Sequence, residues 1–424
     1  MDSARLDRLR KTTRVRLAME ATETLKTVRE ELPGTPEGIG YFHAVLERAF
    51  VGAGDPGYAD RPPRVGTFCV QLPEELVYAA GATPFRLCSG SYAYEQVGAE
   101  FLPAKACALV KASLGMLHAH PPEDIKLLVV PTTCDQKKKA AELLADLGYT
   151  VYSLEVPPSR DSDAARVYWH DAVRKLVGEL QHATGQRITR TRLRDAIHRL
   201  ARAREQFRRL QTSMEGHPPV LFGTDALLVA NALPHADLEA WTDALERLNL
   251  ELEERLRSNE GVASSHAPRL LFTGSPPLFP NLKLPLLVER AGAVLVADEV
   301  CSGSRFLYDA PAYAEGNLYD MLPAVADRCL KPSTCPFFSP NGSRIRKLAA
   351  LAERFAIDGV VYQAFAGCHL YEMEHTTVGK ALEERGIPML YVETDYSPED
   401  VGQLSTRVEA FVESVKARKK RGRA

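Results

Sequence analysis

Short, uninterrupted apolar runs, each followed by a helical stretch, constrain this chain more than any other feature. Lys126-Leu-Leu-Val-Val130, Ala293-Val-Leu-Val-Ala297, Gly359-Val-Val-Tyr-Gln363 and Pro388-Met-Leu-Tyr-Val392 lack the polar alternation of a half-exposed strand, so they predict strands covered on both faces. Helices are predicted between and after them, at 135–147, 345–355 and 403–416. Strand and helix in alternation demand parallel pairing, and the expected fold is α/β, with two doubly wound (flavodoxin-like or Rossmann-like) parallel-sheet domains. An N-terminal helical segment over 1–64, a first α/β domain with a helical extension over 65–260 and a second over 261–424 are expected. Leu25, Val28 and Leu32 give the N-terminal segment a packing or dimerisation face, up to Pro33-Gly34.

With 53 basic against 55 acidic residues, the chain has no net attraction to nucleic acid or anionic lipid. No apolar run nears the ~18 residues that span a bilayer, and the first residues hold no signal-peptide core, so a cytoplasmic protein with no membrane or nucleic-acid partner is expected. The eight cysteines, at 69, 88, 107, 134, 301, 329, 335 and 368, contain no Cys-x-x-Cys pair. Any metal site must draw on distant segments.

Three thiols sit just beyond predicted strand ends: Cys134 after Val130, Cys301 after Ala297 and Cys368 after Gln363. Open α/β sheets bind ligands there, which favours a ligand role for these three over inert packing. Cys134 also opens a predicted helix, where the dipole and nearby lysines attract anions. Cys107 lies near another helix start, and Cys335 is on a proline-interrupted loop. Cys69, between Phe68 and Val70, and Cys329, beside Leu330, fit the packing of a small hydrophobe. Zinc completed by His369 or His375 and all-thiolate iron–sulfur ligation both suit the residue types.

Other patterns fail on context. Gly52-Ala-Gly54-Asp-Pro-Gly57 has the letters of a dinucleotide fingerprint, but Pro56 and Pro62-Pro63 forbid the helix that it needs. Gly379-Lys380-Ala381 is not a phosphate loop. His118-Ala-His120, beside Pro121-Pro122, reads as a surface turn. The helix over 188–210 buries Leu193, Ile197, Leu200 and Phe207, and its arginine-rich face reads as solvated or as a docking face for an acidic partner.

The segments Gly66-Thr-Phe-Cys-Val-Gln-Leu-Pro, Arg86-Leu-Cys-Ser-Gly90, Leu102-Pro-Ala-Lys-Ala-Cys107, Thr132-Thr-Cys-Asp-Gln-Lys-Lys-Lys139, Val300-Cys-Ser-Gly-Ser-Arg305, 335–344 and Gly367-Cys-His-Leu-Tyr-Glu372 carry a family resemblance. From Val65 onward the chain resembles the 2-hydroxyacyl-CoA dehydratase and benzoyl-CoA reductase superfamily, and within it the double-cubane-cluster proteins. Gln136, where such proteins more often have glycine, and Ala104-Lys-Ala106 depart from the pattern.

The resemblance implies a cluster chamber between the α/β domains and a separate ATP-hydrolysing iron–sulfur reductase (activator). A single-cubane 4Fe-4S subunit of dehydratase type would use Cys107, Cys134 and Cys368. A double-cubane 8Fe-9S cluster would need Cys88, Cys107, Cys134, Cys301, Cys335 and Cys368, with Cys69 and Cys329 spare. The expected protein is an oxygen-sensitive, homodimeric oxidoreductase that reduces a small-molecule substrate. His369, Tyr371 and Glu372 are candidate proton donors, and Arg305 a candidate anion holder. Rival readings are a single-cubane dehydratase or reductase subunit, and a non-catalytic electron carrier or zinc-stapled scaffold.

Overall fold

A computed structural model describes residues 3–52, 62–307 and 310–421. Residues 53–57 of the glycine-rich stretch and the end of the basic tail lie outside the described residues. The first sheet contains β1 (Arg64–Thr67), β2 (Thr83–Arg86), β3 (Ile125–Pro131) and β4 (Val151–Leu154), in the order β2-β1-β3-β4 with every pairing parallel. The second repeats this arrangement with β5 (Arg269–Gly274), β6 (Val294–Glu299), β7 (Gly359–Phe365) and β8 (Met389–Thr394), in the order β6-β5-β7-β8. The chain is α/β with two doubly wound parallel sheets.

Each sheet is apolar on both faces because helices cover both. Val65, Leu127 and Val129 pack under the helices Asp163–Thr184 and Arg190–Ser213, while Leu128 and Val130 face Ala108–Ala119 and Asp135–Asp146. In the second sheet Leu270, Phe272 and Val361 meet the helices Lys283–Arg290 and Val401–Arg421. On its other face, Val294, Val296 and Tyr362 join a core that includes Leu25, Val28 and Leu32 from the N-terminal helix Ser3–Glu31.

The arginine-rich helix is not a free docking face. Arg199 pairs with Glu239, Arg202 with Asp243 and Glu246 (2.6 and 2.8 Å), and Arg209 with Glu253 (2.6 Å), all on the neighbouring helix Leu238–Ser258. The reading of His118-Ala-His120 as a surface turn is likewise corrected. His118 is helical, and His120 caps that helix while its ring bonds Tyr94 Oη and the Arg10 carbonyl, both at 3.0 Å.

Both sheets have their switch in strand order beside the central strand, between β1 and β3 and between β5 and β7. Loops leaving neighbouring strands there part in opposite directions, opening a crevice at the carboxyl ends.

Candidate functional site

Cysteines occupy those carboxyl ends. Cys69 and Cys88 stand two residues beyond β1 and β2, Cys134 three beyond β3, Cys301 two beyond β6 and Cys368 three beyond β7. Cys107 caps the helix Ala108–Ala119, and Cys335 lies between the helices Leu318–Leu330 and Gly342–Arg354. All are free thiols. Cys134 caps the helix Asp135–Asp146, with its Sγ accepting from the Lys137 N–H at 3.4 Å.

The Lys137 ammonium is the electrostatic centre of this ring. Burial alone would depress its pKa, but its electrostatic interaction with neighbouring sulfurs, Cys69 above all, outweighs burial and raises it. Nζ also donates to Thr133 Oγ1 at 3.1 Å, and the Thr133 hydroxyl in turn donates to Cys69 Sγ at 3.7 Å. Burial raises the Cys69 thiol, but Lys137 and nearby hydrogen bonds reverse that, leaving it lowered. Burial pushes Cys88 up to about 11 and raises Cys301 and Cys335 as well.

Cys107 and Cys368 come from different sheets and share a hydrogen bond. Cys107 donates the hydrogen bond and is raised, while Cys368 accepts that bond and falls to about 7. Around them, Gln136 ties the loops together: its Oε1 accepts from the Cys107 N–H at 2.7 Å, and its Nε2 donates to the Gly367 carbonyl at 2.8 Å. Gly367 has φ +78°, and a Cβ there would sit 2.4 Å from the Lys105 carbonyl oxygen. Only glycine lets the two main chains come this close.

Behind Cys301 lies a buried polar network. Arg305 pairs with Glu299, donates to Tyr371 Oη at 2.8 Å and reaches Cys301 Sγ at 3.7 Å. Arg344 binds the same Glu299 and also Glu374, whose carboxyl Tyr362 approaches at 3.1 Å. Two guanidinium groups thus share two buried carboxyls. Burial raises Glu374 to about 8 despite Arg305.

Of the residues singled out in the sequence, Cys88, Cys107, Cys134, Cys301, Cys335 and Cys368 all face this region. Cys69, set aside as a packing residue, stands among them. Cys329 lies apart, 3.2 Å from an Arg328 nitrogen that also bonds Glu75. Tyr371 is buried on Arg305, Glu372 Oε1 accepts from the Gly367 N–H at 2.8 Å, and His369 is exposed. His375 stacks on Tyr391, with ring centroids 4.0 Å apart. Among the described residues, no three His, Cys, Asp or Glu side chains converge closely enough to hold one metal ion. Soft thiolates spread around a common space suit a polynuclear iron–sulfur group, which is held at its corners, better than a single zinc ion, which needs its ligands about 2.0–2.3 Å from one point. The lysines after Cys134 were read only as local support for its thiolate, and the partners that Lys137 and Gln136 find come from remote loops that the sequence does not link.

The fold and site together define a two-sheet α/β protein that carries thiols at the carboxyl ends of strands in both sheets, several of them close to Lys137. Residues 69–415 match the family 2-hydroxyglutaryl-CoA dehydratase, D-component, and the chain belongs to that family. It is 33% identical over 356 residues to the putative dehydratase subunit YjiM of Escherichia coli, covering 83% of this chain and 91% of that protein. It is 25% identical to the beta subunit of (R)-2-hydroxyglutaryl-CoA dehydratase from Acidaminococcus fermentans (83% and 92% covered). It is 21% identical to one of the subunits of benzoyl-CoA reductase from Thauera aromatica (82% and 89% covered). These relatives are named as subunits of dehydratases or a reductase. Among the described residues no helix is long and apolar enough to cross a membrane.

Proposed function

We propose that the chain is the iron–sulfur component of a two-component reductase, acting as a homodimer. In this reading Cys88, Cys107, Cys134, Cys301, Cys335 and Cys368 hold a double-cubane 8Fe-9S cluster, and a separate ATP-hydrolysing iron–sulfur activator supplies the electrons. The observation that carries the reading is the set of thiols around Lys137 at the carboxyl ends of both sheets. When bound, the cluster supplies low-potential electrons to a small substrate. The chain's own residues supply the rest. Lys137 offsets the charge of the thiolates, while Gln136 and Gly367 hold the Cys107 and Cys368 loops in register. Arg305, fixed by Glu299, steadies Cys301 and the Tyr371 hydroxyl. Tyr371, Glu372 and His369 are the proton donors nearest Cys368 in sequence, the last opening to solvent.

A second reading is favoured by the dehydratase relatives: one 4Fe-4S cluster on Cys107, Cys134 and Cys368, in a subunit acting on a 2-hydroxyacyl-CoA. Anaerobic purification with iron, sulfide and zinc analysis separates the two, with about eight irons per chain expected for the first and about four for the second. A colourless zinc protein would leave a scaffold role, and ATP-driven turnover by the purified chain alone would defeat the two-component scheme.

A further inference from the structure

The Tyr396 hydroxyl, beside Cys107, is buried without a hydrogen-bond partner among the described residues. Tyr396 follows β8 by two residues, and its main chain is clamped on both sides: its N–H donates to Glu95 Oε2 at 3.1 Å, and its carbonyl accepts from Asn281 Nδ2 at 3.4 Å. The ring packs edge-on against Phe365, with centroids 4.9 Å apart, in an apolar cluster that includes Cys107 and borders Cys368. Although the residue is only 3% exposed, Oη makes no hydrogen bond among the described residues.

A phenylalanine would fill this space equally well and would not leave a hydroxyl stripped of water, so the oxygen calls for an explanation. Its surroundings supply one. The cluster that holds the ring includes Cys107, and Cys368 packs against it, so the hydroxyl is buried close to two thiols. An ordinary phenol is protonated at neutral pH, so it can serve these sulfur-rich surroundings as a donor.

We propose that Tyr396 Oη donates a hydrogen bond to a sulfur atom of the group held by Cys107 and Cys368, and that this bond tunes the group's readiness to accept an electron. The inference rests on the iron–sulfur reading. Reduction adds negative charge at sulfur, and a neutral donor stabilises the reduced form more than the oxidised one. Tyr396 thereby makes the chamber easier to reduce, and it acts from the second sheet on sulfur ligands of both.

The test uses the full-length chain loaded anaerobically, comparing wild type with Tyr396→Phe. Iron per chain is measured, together with the ratio of reduced to oxidised cluster at a fixed applied potential. Iron content should stay at the wild-type value while the reduced-to-oxidised ratio falls about tenfold, as expected for losing one hydrogen bond to a charged acceptor. An unchanged ratio at full iron loading would overturn the role of Tyr396 and leave the iron–sulfur reading intact. Loss of iron in the variant would also overturn it, because a tuning donor does not hold the cluster. A wild-type chain that takes up no iron would overturn the iron–sulfur reading and this inference with it.

Discussion

Replacing Gly367 by alanine tests whether the two sheets are joined backbone to backbone at the chamber. Two costs are predicted. At φ +78° a Cβ meets the left-handed steric penalty of about 1–2 kcal/mol. That Cβ would also lie 2.4 Å from the Lys105 carbonyl and 3.1 Å from the Cys107 nitrogen. These are main-chain atoms that cannot swing aside, so overpacking adds about 1–3 kcal/mol. The sum is about 2–5 kcal/mol, delivered where Cys107 and Cys368 meet. Gly386 provides the control: its φ is +71°, with nothing within 4 Å of the added carbon, so Gly386→Ala should cost only the first component. Denaturant midpoints for the two variants, followed by the same probe, give the difference, and iron per chain after anaerobic loading gives the local consequence. Equal midpoints and equal iron would refute the close approach.

Three further outcomes are expected. Cys134→Ala should abolish cluster assembly while Cys329→Ala retains near wild-type iron, since a packing cysteine contributes only a small apolar volume; equal losses would overturn the division. Asp225 is fully buried, and burial and Glu289 raise its carboxyl to about 8; Thr35 donates to it at 3.0 Å, and His43 lies 3.9 Å away. Between about pH 4 and 8 the folded chain therefore holds a proton that the unfolded chain has released, so this contribution to stability declines as pH rises, by up to about 1.4 kcal/mol per unit. In Asp225→Asn that component should vanish, seen as a difference from wild type in urea titrations across the window; parallel curves would contradict it. Charge reversal of Arg202 and Arg209 should lower stability by breaking pairs with Asp243, Glu246 and Glu253, by about 1 kcal/mol or less per exposed pair, and compensating reversals on the partner helix should restore it.

β3, β6, β7 and β8 were legible in the sequence because they are short apolar runs whose meaning is local, whereas β1 (Arg64–Thr67) and β2 (Thr83–Arg86) carry no such run. The strand-end positions of Cys134, Cys301 and Cys368 were legible for the same reason, since a strand followed by a turn and a thiol fixes the thiol at the sheet's carboxyl edge. Cys69 escaped because Phe68 and Val70 look like core neighbours, whereas the chain turns after Thr67 and presents the sulfur to Thr133. The arginines of the helix Arg190–Ser213 were ambiguous because a solvated face, a docking face and a face paired with another helix have one composition. Gln136 stood out only as a departure from glycine. Its two amide partners, Cys107 and Gly367, lie far away in sequence, and no local pattern reveals such a brace.

The division of thiols between the sheets governs when the chamber can come into being. A nascent chain that has emerged only as far as β6 and the turn after it carries Cys69, Cys88, Cys107, Cys134 and Cys301, yet lacks the Gly367 carbonyl that Gln136 grips and the sulfur that accepts from Cys107. Ribosomal synthesis must reach the loop after β7 before the pocket closes. If the thiols hold a cluster, as proposed, its loading must wait for the loop after β7, and until then the early thiols lack the neighbours that later shelter them.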